Sequence, residues 1–321
     1  MDVTKVVFVS AHTILSLAGI FFNGLLIYVG IFHSPNKIKT YAALILNFAF
    51  SDLIICLMNL FIQQRLVTTG DSTIFVSNGP CKLFGPSVCF QANNVQQHLI
   101  TFGAYSLLLS FFYRYYIILR VPPSRRNVLI VLFIFYLPSF IQYILSLFME
   151  SPPEEMRQIF EEAFPQYNSK CLTIGGIKDN TLWLPNLVIS HGIFAVIPIY
   201  VAIFVFRYMI MRKLKVVMCV RSETRSMQKQ FLKALTYQTS IPMISLVAMI
   251  FFGIGQQKMF KHPAMEYATP ICLLLTPVVS PLASLYFVHP YKTKVQSLMG
   301  QEANSFSQKT AIVSISQTSN V

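Results

Sequence analysis

Residues 6–32 read VVFVSAHTILSLAGIFFNGLLIYVGIF and contain no charged side chain. A helix of about 20 apolar residues is long enough to cross the roughly 30 Å hydrocarbon core of a bilayer. A membrane β-strand has only about ten residues, so the length of this run favours a helix. The stretch therefore predicts a transmembrane helix near Val6–Phe32.

The rest of the chain repeats this pattern. Of its 321 residues 54% are apolar and only 12% are charged, whereas soluble domains carry about 25% charged residues. We therefore predict an all-α integral membrane protein, a seven-transmembrane helix bundle that occupies residues 1–299. The six further spans are expected near Tyr41–Ile62, Val88–Leu119, Val128–Phe148, Leu184–Phe206, Phe231–Ile254 and Tyr267–Val288.

The basic residues predict the orientation of this bundle. Of the 25 Lys and Arg residues, 17 fall in segments on the side of the C-terminus and 8 fall on the other side. Short loops rich in Lys and Arg stay in the cytoplasm, so we expect the N-terminus outside and the C-terminus inside. The net charge of +13 then reflects orientation and attraction to membrane lipid, and we expect no nucleic-acid partner.

Two shorter segments outside the spans have helical patterns. Ser151-Pro152-Pro153-Glu154 resembles a capping box, and the apolar residues that follow it at helical spacing predict a short amphipathic helix over the mouth of the bundle. This helix either shields a pocket or lies at the lipid interface. After the last span, His289–Val295 predicts a short amphipathic eighth helix, and residues 300–321 predict a disordered cytoplasmic tail.

Cysteine placement predicts one disulfide. Cys81, Cys89 and Cys171 fall in segments expected to face the oxidising side, where disulfides persist. A bond from Cys171 to the head of the third span would hold the long loop in place. The loop-like context favours Cys81 as the partner, whereas the spacing to Arg114 favours Cys89. We expect Cys81–Cys171, with Cys89 as the alternative partner, and no metal site or cofactor.

The outer half of the third span is unusually polar, and its polar residues recur at intervals of three and four, which places them on one helix face. Polar side chains in a span are costly and face the bundle interior. We interpret this face as part of a ligand pocket; the alternative is that it bonds helices together. The predicted ligand-binding residues, including two from the fifth and seventh spans, are Gln91, Asn94, His98, Thr101, His191 and Glu266.

A second polar group lies deeper in the bundle. Asp52 is the only carboxylate deep in a predicted span, and Asn23 and Asn47 are close enough in the predicted bundle to share hydrogen bonds with it. Pro242 and Pro281 interrupt later spans and are candidate hinges. We interpret these five residues as a conformational switch; the alternative is a static polar contact.

Several of these residues also resemble the pattern of rhodopsin-like G-protein-coupled receptors. Asn23-Gly24 and the segment Asn47–Leu53, which reads NFAFSDL, are similar to motifs of the first and second spans. Tyr113-Arg114-Tyr115 departs from the pattern because it lacks the acid before the arginine. We therefore expect the resting state to be held by a different contact.

A closer resemblance covers nearly the whole chain. The sequence is similar to the nematode serpentine receptor class delta (Srd) family in GPCKLFGP (79–86), YSLLLSFFYRYY (105–116), PPSRR (122–126), YLPSFIQ (136–142) and YFVHPYK (286–292). The resemblance implies a chemosensory receptor for a small-molecule ligand, placed in the plasma or ciliary membrane of sensory neurons. It also implies coupling to a heterotrimeric G protein at the inner helix ends, for which we select Arg114, Tyr115, Arg212 and Lys213.

Two other classes of protein compete with this interpretation. A seven-span ligand-gated channel of the odorant-receptor type would need the N-terminus inside, which the distribution of basic residues opposes. A membrane enzyme would need a catalytic motif, and the sequence contains no HExxH motif and no carboxylate pair within the predicted spans. We therefore expect no enzymatic activity.

Overall fold

The structure is a computed structural model, and it describes residues 3–35, 38–69, 71–165, 167, 169, 172–194, 196–216, 232–233, 236–237, 240, 263–298 and 300. Most of the predicted span Phe231–Ile254, including Pro242, lies outside the described residues, as do Cys171 and residues 301–321 of the predicted tail.

Helices account for most of the described chain, because in lipid every backbone polar group needs a partner within the protein and a helix supplies it locally. Six stretches of the described helices are long and apolar enough to cross a membrane, and they overlap six of the seven predicted spans. The helices are α1 (Val3–Phe32), α2 (Lys39–Ile62), α3 (Pro86–Leu119), α4 (Arg125–Ser146), α5 (Pro153–Ala163), α6 (Trp183–Phe194), α7 (Val196–Val216), α8 (Pro263–Phe287) and α9 (His289–Leu298).

The prediction of a purely helical fold is wrong in one region. An antiparallel sheet contains β1 (Gln64–Thr69), β2 (Ser72–Ser77) and β3 (Thr173–Ile177), in the order β1-β2-β3. The first two strands contain β-branched and aromatic residues on either side of a Gly-Asp pair, which is the pattern of a hairpin. Because these two strands are short and lie between two long apolar runs, they resemble a loop in the sequence.

Helix α5 packs on this sheet to form what we call the cap, which consists of α5 and β1–β3. Met156 and Phe160 of α5 are fully buried against Val67, Ile74 and Ile174 of the three strands. The predicted helix is therefore present, and its apolar face covers the sheet.

The predicted capping box at the start of α5 is wrong. The helix begins at Pro153, and the preceding Pro152 provides no side-chain cap. The Ser151 hydroxyl instead accepts a hydrogen bond of 2.9 Å from the backbone N–H of Lys178. This bond ties the start of α5 to the segment after β3.

The predicted disulfide Cys81–Cys171 is also wrong, because the structure joins Cys81 to Cys89. Cys81 lies in the 3-10 turn Pro80–Leu83, and Cys89 lies in the first turn of α3. Between them Gly85 has φ 102°, a conformation that favours glycine, and the chain reverses there. The two Cα atoms are thereby 5.3 Å apart, within the range that a disulfide spans.

The bundle has its larger core at the end opposite the cap. Leu26 and Val29 of α1 pack with Leu44 of α2 and Leu109 of α3. Tyr291 of α9 is completely buried in the same cluster, and its hydroxyl is 2.8 Å from that of Ser34. Burial raises the pKa of Tyr291 to about 12. This packing attaches α9 to the base of α1.

Candidate functional site

A cavity of about 200 Å³ lies directly beneath the cap, between α3, α4, α6 and α8. Strands β2 and β3 cover it through Phe75 and Ile177, and α8 contributes Thr269 and Leu273. No Asp, Glu, Lys or Arg is among the residues that line it in the described part of the chain. The largest polar contribution comes from α3, with Asn93, Asn94, Gln97, His98 and Thr101.

Three of the six predicted ligand-binding residues line this cavity, namely Asn94, His98 and Thr101. Gln91 lies one turn closer to the N-terminal end of α3 and does not line the cavity. The Gln91 amide donates a hydrogen bond of 3.0 Å to the Glu150 carboxylate and accepts one of 3.2 Å from Asn94. The predicted helix face therefore exists, but its first residue is part of a link between α3 and the segment after α4.

His98 and Asn94 bond to α4. The Nδ1 atom of His98 is 2.8 Å from the carbonyl oxygen of Ser139, and since a carbonyl only accepts, this nitrogen carries the hydrogen. The Nε2 atom, 3.1 Å from the Tyr136 hydroxyl, is then the acceptor in a neutral ring. Asn94 donates a hydrogen bond of 3.1 Å to the carbonyl oxygen of Ser146. Both residues thus join α3 to α4 while they line the cavity.

The structure corrects the prediction for His191, which does not line the cavity. Its Nδ1 atom is 2.9 Å from the side-chain oxygen of Gln142, and its Nε2 atom is 3.0 Å from the Tyr105 hydroxyl. The imidazole therefore links α6 to α4 and α3, and both ring nitrogens are already used.

Glu266 does not line the cavity either, because it pairs with Arg65 of β1. The Arg65 guanidinium also lies 4.9 Å from the centre of the Tyr167 ring and 5.6 Å from that of Tyr267. Burial lowers the pKa of Arg65, but the charge and hydrogen bond of Glu266 outweigh this effect, and the pKa is raised above its usual value. This largely buried ion pair ties the cap to α8.

Asn23 compensates for a proline in α8. Its side-chain N–H groups donate hydrogen bonds of 2.9 Å to the carbonyl oxygens of Gly19 and Pro277. The carbonyl of Pro277 would ordinarily accept from the residue four positions later, but this residue is Pro281, which has no N–H. Asn23 thus supplies the donor that the helix lacks at Pro281.

The hydrogen bonds predicted between Asp52, Asn23 and Asn47 are absent among the described residues. Asp52 accepts a hydrogen bond from Ser280 of α8, whereas Asn47 donates one of 3.0 Å to Ser106 of α3. Asn23 of α1 and Asp52 of α2 thus both bond to α8, whereas Asn47 of α2 bonds to α3.

Arg114 is buried at the opposite end of the bundle from the cap, with 2% of its surface exposed. Its guanidinium carbon lies 3.6 Å from the centre of the Tyr41 ring, and this ring stacks on that of Tyr113. An aromatic face thus contacts the cation, and the residue before the arginine is Tyr113 and not an acid. Arg114 is therefore not at the surface in this state of the bundle.

The other predicted coupling residues lie on the same side of the bundle as Arg114. The Tyr115 ring is 5.8 Å from that of Phe206 in α7, so it contributes to the packing of α3 on α7. Arg212 and Lys213 lie near the end of α7 and are exposed. Of the four predicted coupling residues, one cation is thus buried and two are accessible.

Two residues that line the cavity were missed in the sequence. Asn93 and Gln97 lie four residues apart on α3 and face the cavity beside Thr101. Residues 93, 97 and 101 also lie on one face of the helix, and this face is adjacent to the one that contains Asn94 and His98. Spacing alone therefore could not decide which of two adjacent polar faces has free amides.

The helical bundle and its six membrane-length stretches in the described part of the chain define a multi-pass membrane protein. The model of the family described as serpentine type 7TM GPCR chemoreceptor Srd matches residues 8–297. The chain belongs to this family, which confirms the resemblance and identifies a chemosensory receptor of the G-protein-coupled type.

Relatives from Caenorhabditis elegans agree with this assignment. The chain is 36% identical to serpentine receptor class delta-19 over 293 residues, which cover 90% of this chain and 86% of the relative. It is 35% identical to serpentine receptor class delta-18 over 300 residues, which cover 92% and 88%. It is 29% identical to serpentine receptor class delta-1 over 281 residues, which cover 85% and 76%. These serpentine receptors are membrane chemoreceptors and not enzymes.

Proposed function

We propose that this chemoreceptor binds a small molecule in the cavity beneath the cap and signals to a heterotrimeric G protein at the Arg114 end. The observation that carries the proposal is that one cavity is lined by four helices and by the cap. A ligand there contacts all these elements at once. If it binds one arrangement of the bundle better than another, it shifts their populations.

The proposal places the cap outside the cell and the Arg114 end in the cytoplasm. The disulfide Cys81–Cys89 at the cap end supports this orientation, because disulfides persist in oxidising compartments. The concentration of basic residues in the segments of the other end supports it as well. In this orientation the N-terminus is outside, α9 lies along the inner membrane surface as an eighth helix, and residues 300–321 are cytoplasmic.

An epitope tag at the N-terminus tests the orientation. We expect antibody to label the tag on intact cells, whereas a tag at the C-terminus should require permeabilisation. The reverse result would contradict the proposed orientation and would favour a channel of the odorant-receptor type. The family suggests the plasma membrane or the ciliary membrane of sensory neurons as the location.

G-protein coupling would use Arg114, Tyr115, Arg212 and Lys213. The packing of α3 on α7 buries Phe111 against neighbours from α7, so a separation of these two helices would uncover the side chains next to Arg114. The exposed Arg212 and Lys213 offer positive charge to an acidic partner before this separation. The sequence of events is thus electrostatic contact at α7, followed by insertion of a partner segment beside Arg114.

The Arg114→Ala variant tests the coupling. With an agonist found by screening volatile and water-soluble compounds, we expect ligand-evoked G-protein signalling to be lost while the amount of receptor at the surface is retained. Arg126→Ala is the matched control, because Arg126 is an exposed arginine at the same end of the bundle. Unchanged signalling by Arg114→Ala would contradict the proposal.

A further inference from the structure

The polar groups that line the cavity fall into two sets. The first set already bonds to other helices: His98 and Asn94 bond to α4, and the Gln142 amide donates a hydrogen bond of 3.2 Å to the carbonyl oxygen of Val188. These side chains cannot bind a ligand through the same atoms without losing contacts that hold the bundle together. They therefore shape the cavity.

The second set includes the two α3 amides Asn93 and Gln97. Asn93 is 3% exposed, and its side-chain oxygen has no hydrogen-bond partner in the described part of the chain. The side chain of Gln97, one turn further along α3, makes no hydrogen bond to any other described residue. Buried polar atoms in native structures nearly always have a partner, so an unpaired buried amide beside a cavity indicates a position for a ligand atom.

The two carboxylates near the cavity bond to residues outside it. Glu150 accepts a hydrogen bond from Gln91, and Glu266 pairs with Arg65. Neither carboxylate lines the cavity, and none of the described lining residues is charged. A charged ligand would therefore lose its hydration without gaining a counter-ion, which is strongly unfavourable.

Size and surface limit the ligand further. At about 200 Å³, the cavity is smaller than the roughly 300–1,000 Å³ of pockets for drug-sized molecules. Apart from the α3 amides, much of its wall is apolar and includes Phe75, Phe90, Ile100 and Leu273. A molecule that fills it must be small and mostly apolar.

We infer that the ligand of this receptor is a small, uncharged, mostly apolar molecule with one hydroxyl or carbonyl group, which hydrogen-bonds to Asn93 and Gln97. A carboxamide both donates and accepts, so the pair can serve either group. A pure hydrocarbon would leave both amides unpaired and is not expected to bind as well. This inference rests on the proposal that the cavity is the ligand site.

Direct binding to the purified full-length receptor in lipid nanodiscs tests the inference. The probes are straight-chain alcohols from 1-butanol to 1-decanol, the methyl ketones of the same lengths, and the matched alkylammonium and carboxylate ions. We expect saturable increases in the thermal unfolding temperature with at least one alcohol or ketone and none with the ions, because only ligands that bind the folded state stabilise it.

Two variants separate cavity binding from partitioning into the lipid. Gln97→Leu should weaken binding of the active alcohol or ketone by roughly tenfold, since one hydrogen bond is lost. Asn186→Leu, which changes an exposed asparagine of α6, should leave binding unchanged. If Gln97→Leu fails to fold, Gln97→Glu is the second variant, and it should bind the alkylammonium ion that the wild type does not bind.

Three results would overturn the inference: stronger binding of an ion than of its matched alcohol, no saturable shift with any alcohol or ketone, or equal affinities in the wild type and Gln97→Leu. The assay contains no G protein. Binding of an alcohol without signalling would therefore contradict the proposed coupling and leave this inference intact. Signalling evoked only by the ions would contradict this inference and leave the proposed coupling intact.

Discussion

The contact between Tyr41 and Arg114 leads to a prediction about the resting receptor. Tyr41 is 6% exposed and Arg114 is 2% exposed, and the guanidinium carbon is 3.6 Å from the ring centre. A cation over an aromatic face that is shielded from water is stabilised by about 2 kcal/mol. If the active bundle frees Arg114 for a G protein, removing the ring should shift the equilibrium towards that state by roughly 25- to 30-fold.

The substitution Tyr41→Leu removes the ring, and Tyr41→Phe is the comparison variant, because it keeps the aromatic face and removes only the hydroxyl that hydrogen-bonds to Arg114. An active fraction of about 1% without ligand, a usual level for a minor state, would rise to about one-fifth in Tyr41→Leu. The assay is ligand-free G-protein activation in cells with equal amounts of surface receptor. Equal basal signalling by the Leu and Phe variants would refute the reasoning, because the ring would then contribute nothing to the resting state.

Three further predictions concern stability, and thermal unfolding of the purified receptor in nanodiscs measures each of them. Asn23→Ala should lower the free energy of unfolding by about 1–3 kcal/mol, because the Pro277 carbonyl loses its donor and the Gly19 carbonyl keeps only its backbone donor. The exposed Asn186→Ala should change the free energy of unfolding by less than about 0.5 kcal/mol, and equal losses would contradict this account of α8. Arg65→Gln should lower the free energy of unfolding by about 3–5 kcal/mol, because the Glu266 carboxylate stays buried and loses its cation. An unchanged unfolding temperature would show that this ion pair does not hold the cap. Cys81→Ser should lower the free energy of unfolding by about 2–3 kcal/mol by opening a short loop, since the bonded cysteines are 8 residues apart. The variant should also abolish the sensitivity of the cap to a membrane-impermeant reductant. Sensitivity that persists would indicate a different disulfide.

The membrane-length helices could be predicted from the sequence because a long apolar run has few alternatives to a spanning helix. The run Val6–Phe32 corresponds to α1, and the run near Val88–Leu119 corresponds to α3. The sheet was missed because its strands have five or six residues each, and such short segments between long apolar runs resemble loops. The third strand also pairs with a hairpin about 100 residues earlier in the chain, which no local pattern reveals.

The candidate site was predictable only in part. Polar spacing identified α3 as one of the helices that line the cavity, but it could not distinguish the amides that bond to α4 from those that make no such bond. This distinction depends on which carbonyls α4 presents, such as that of Ser139. The disulfide was mispredicted for a similar reason, because the reversal at Gly85, and not the spacing of the cysteines, brings Cys81 close to Cys89.

The central claim is that a molecule in the cavity beneath the cap activates a G protein. Its most direct test is agonist-stimulated nucleotide exchange on a purified heterotrimeric G protein by the receptor in nanodiscs, with the wild type compared with the cavity-filling variant Gly192→Leu. Gly192 lines the cavity, and a Cβ atom there would already lie 3.3 Å from the Gln142 amide nitrogen, so a leucine side chain would crowd the cavity wall. Gly24→Leu is the control, because its Cβ meets nothing within 4 Å. We predict that the agonist is roughly tenfold or more less potent on Gly192→Leu than on the wild type and Gly24→Leu; equal potency on all three receptors would contradict the claim.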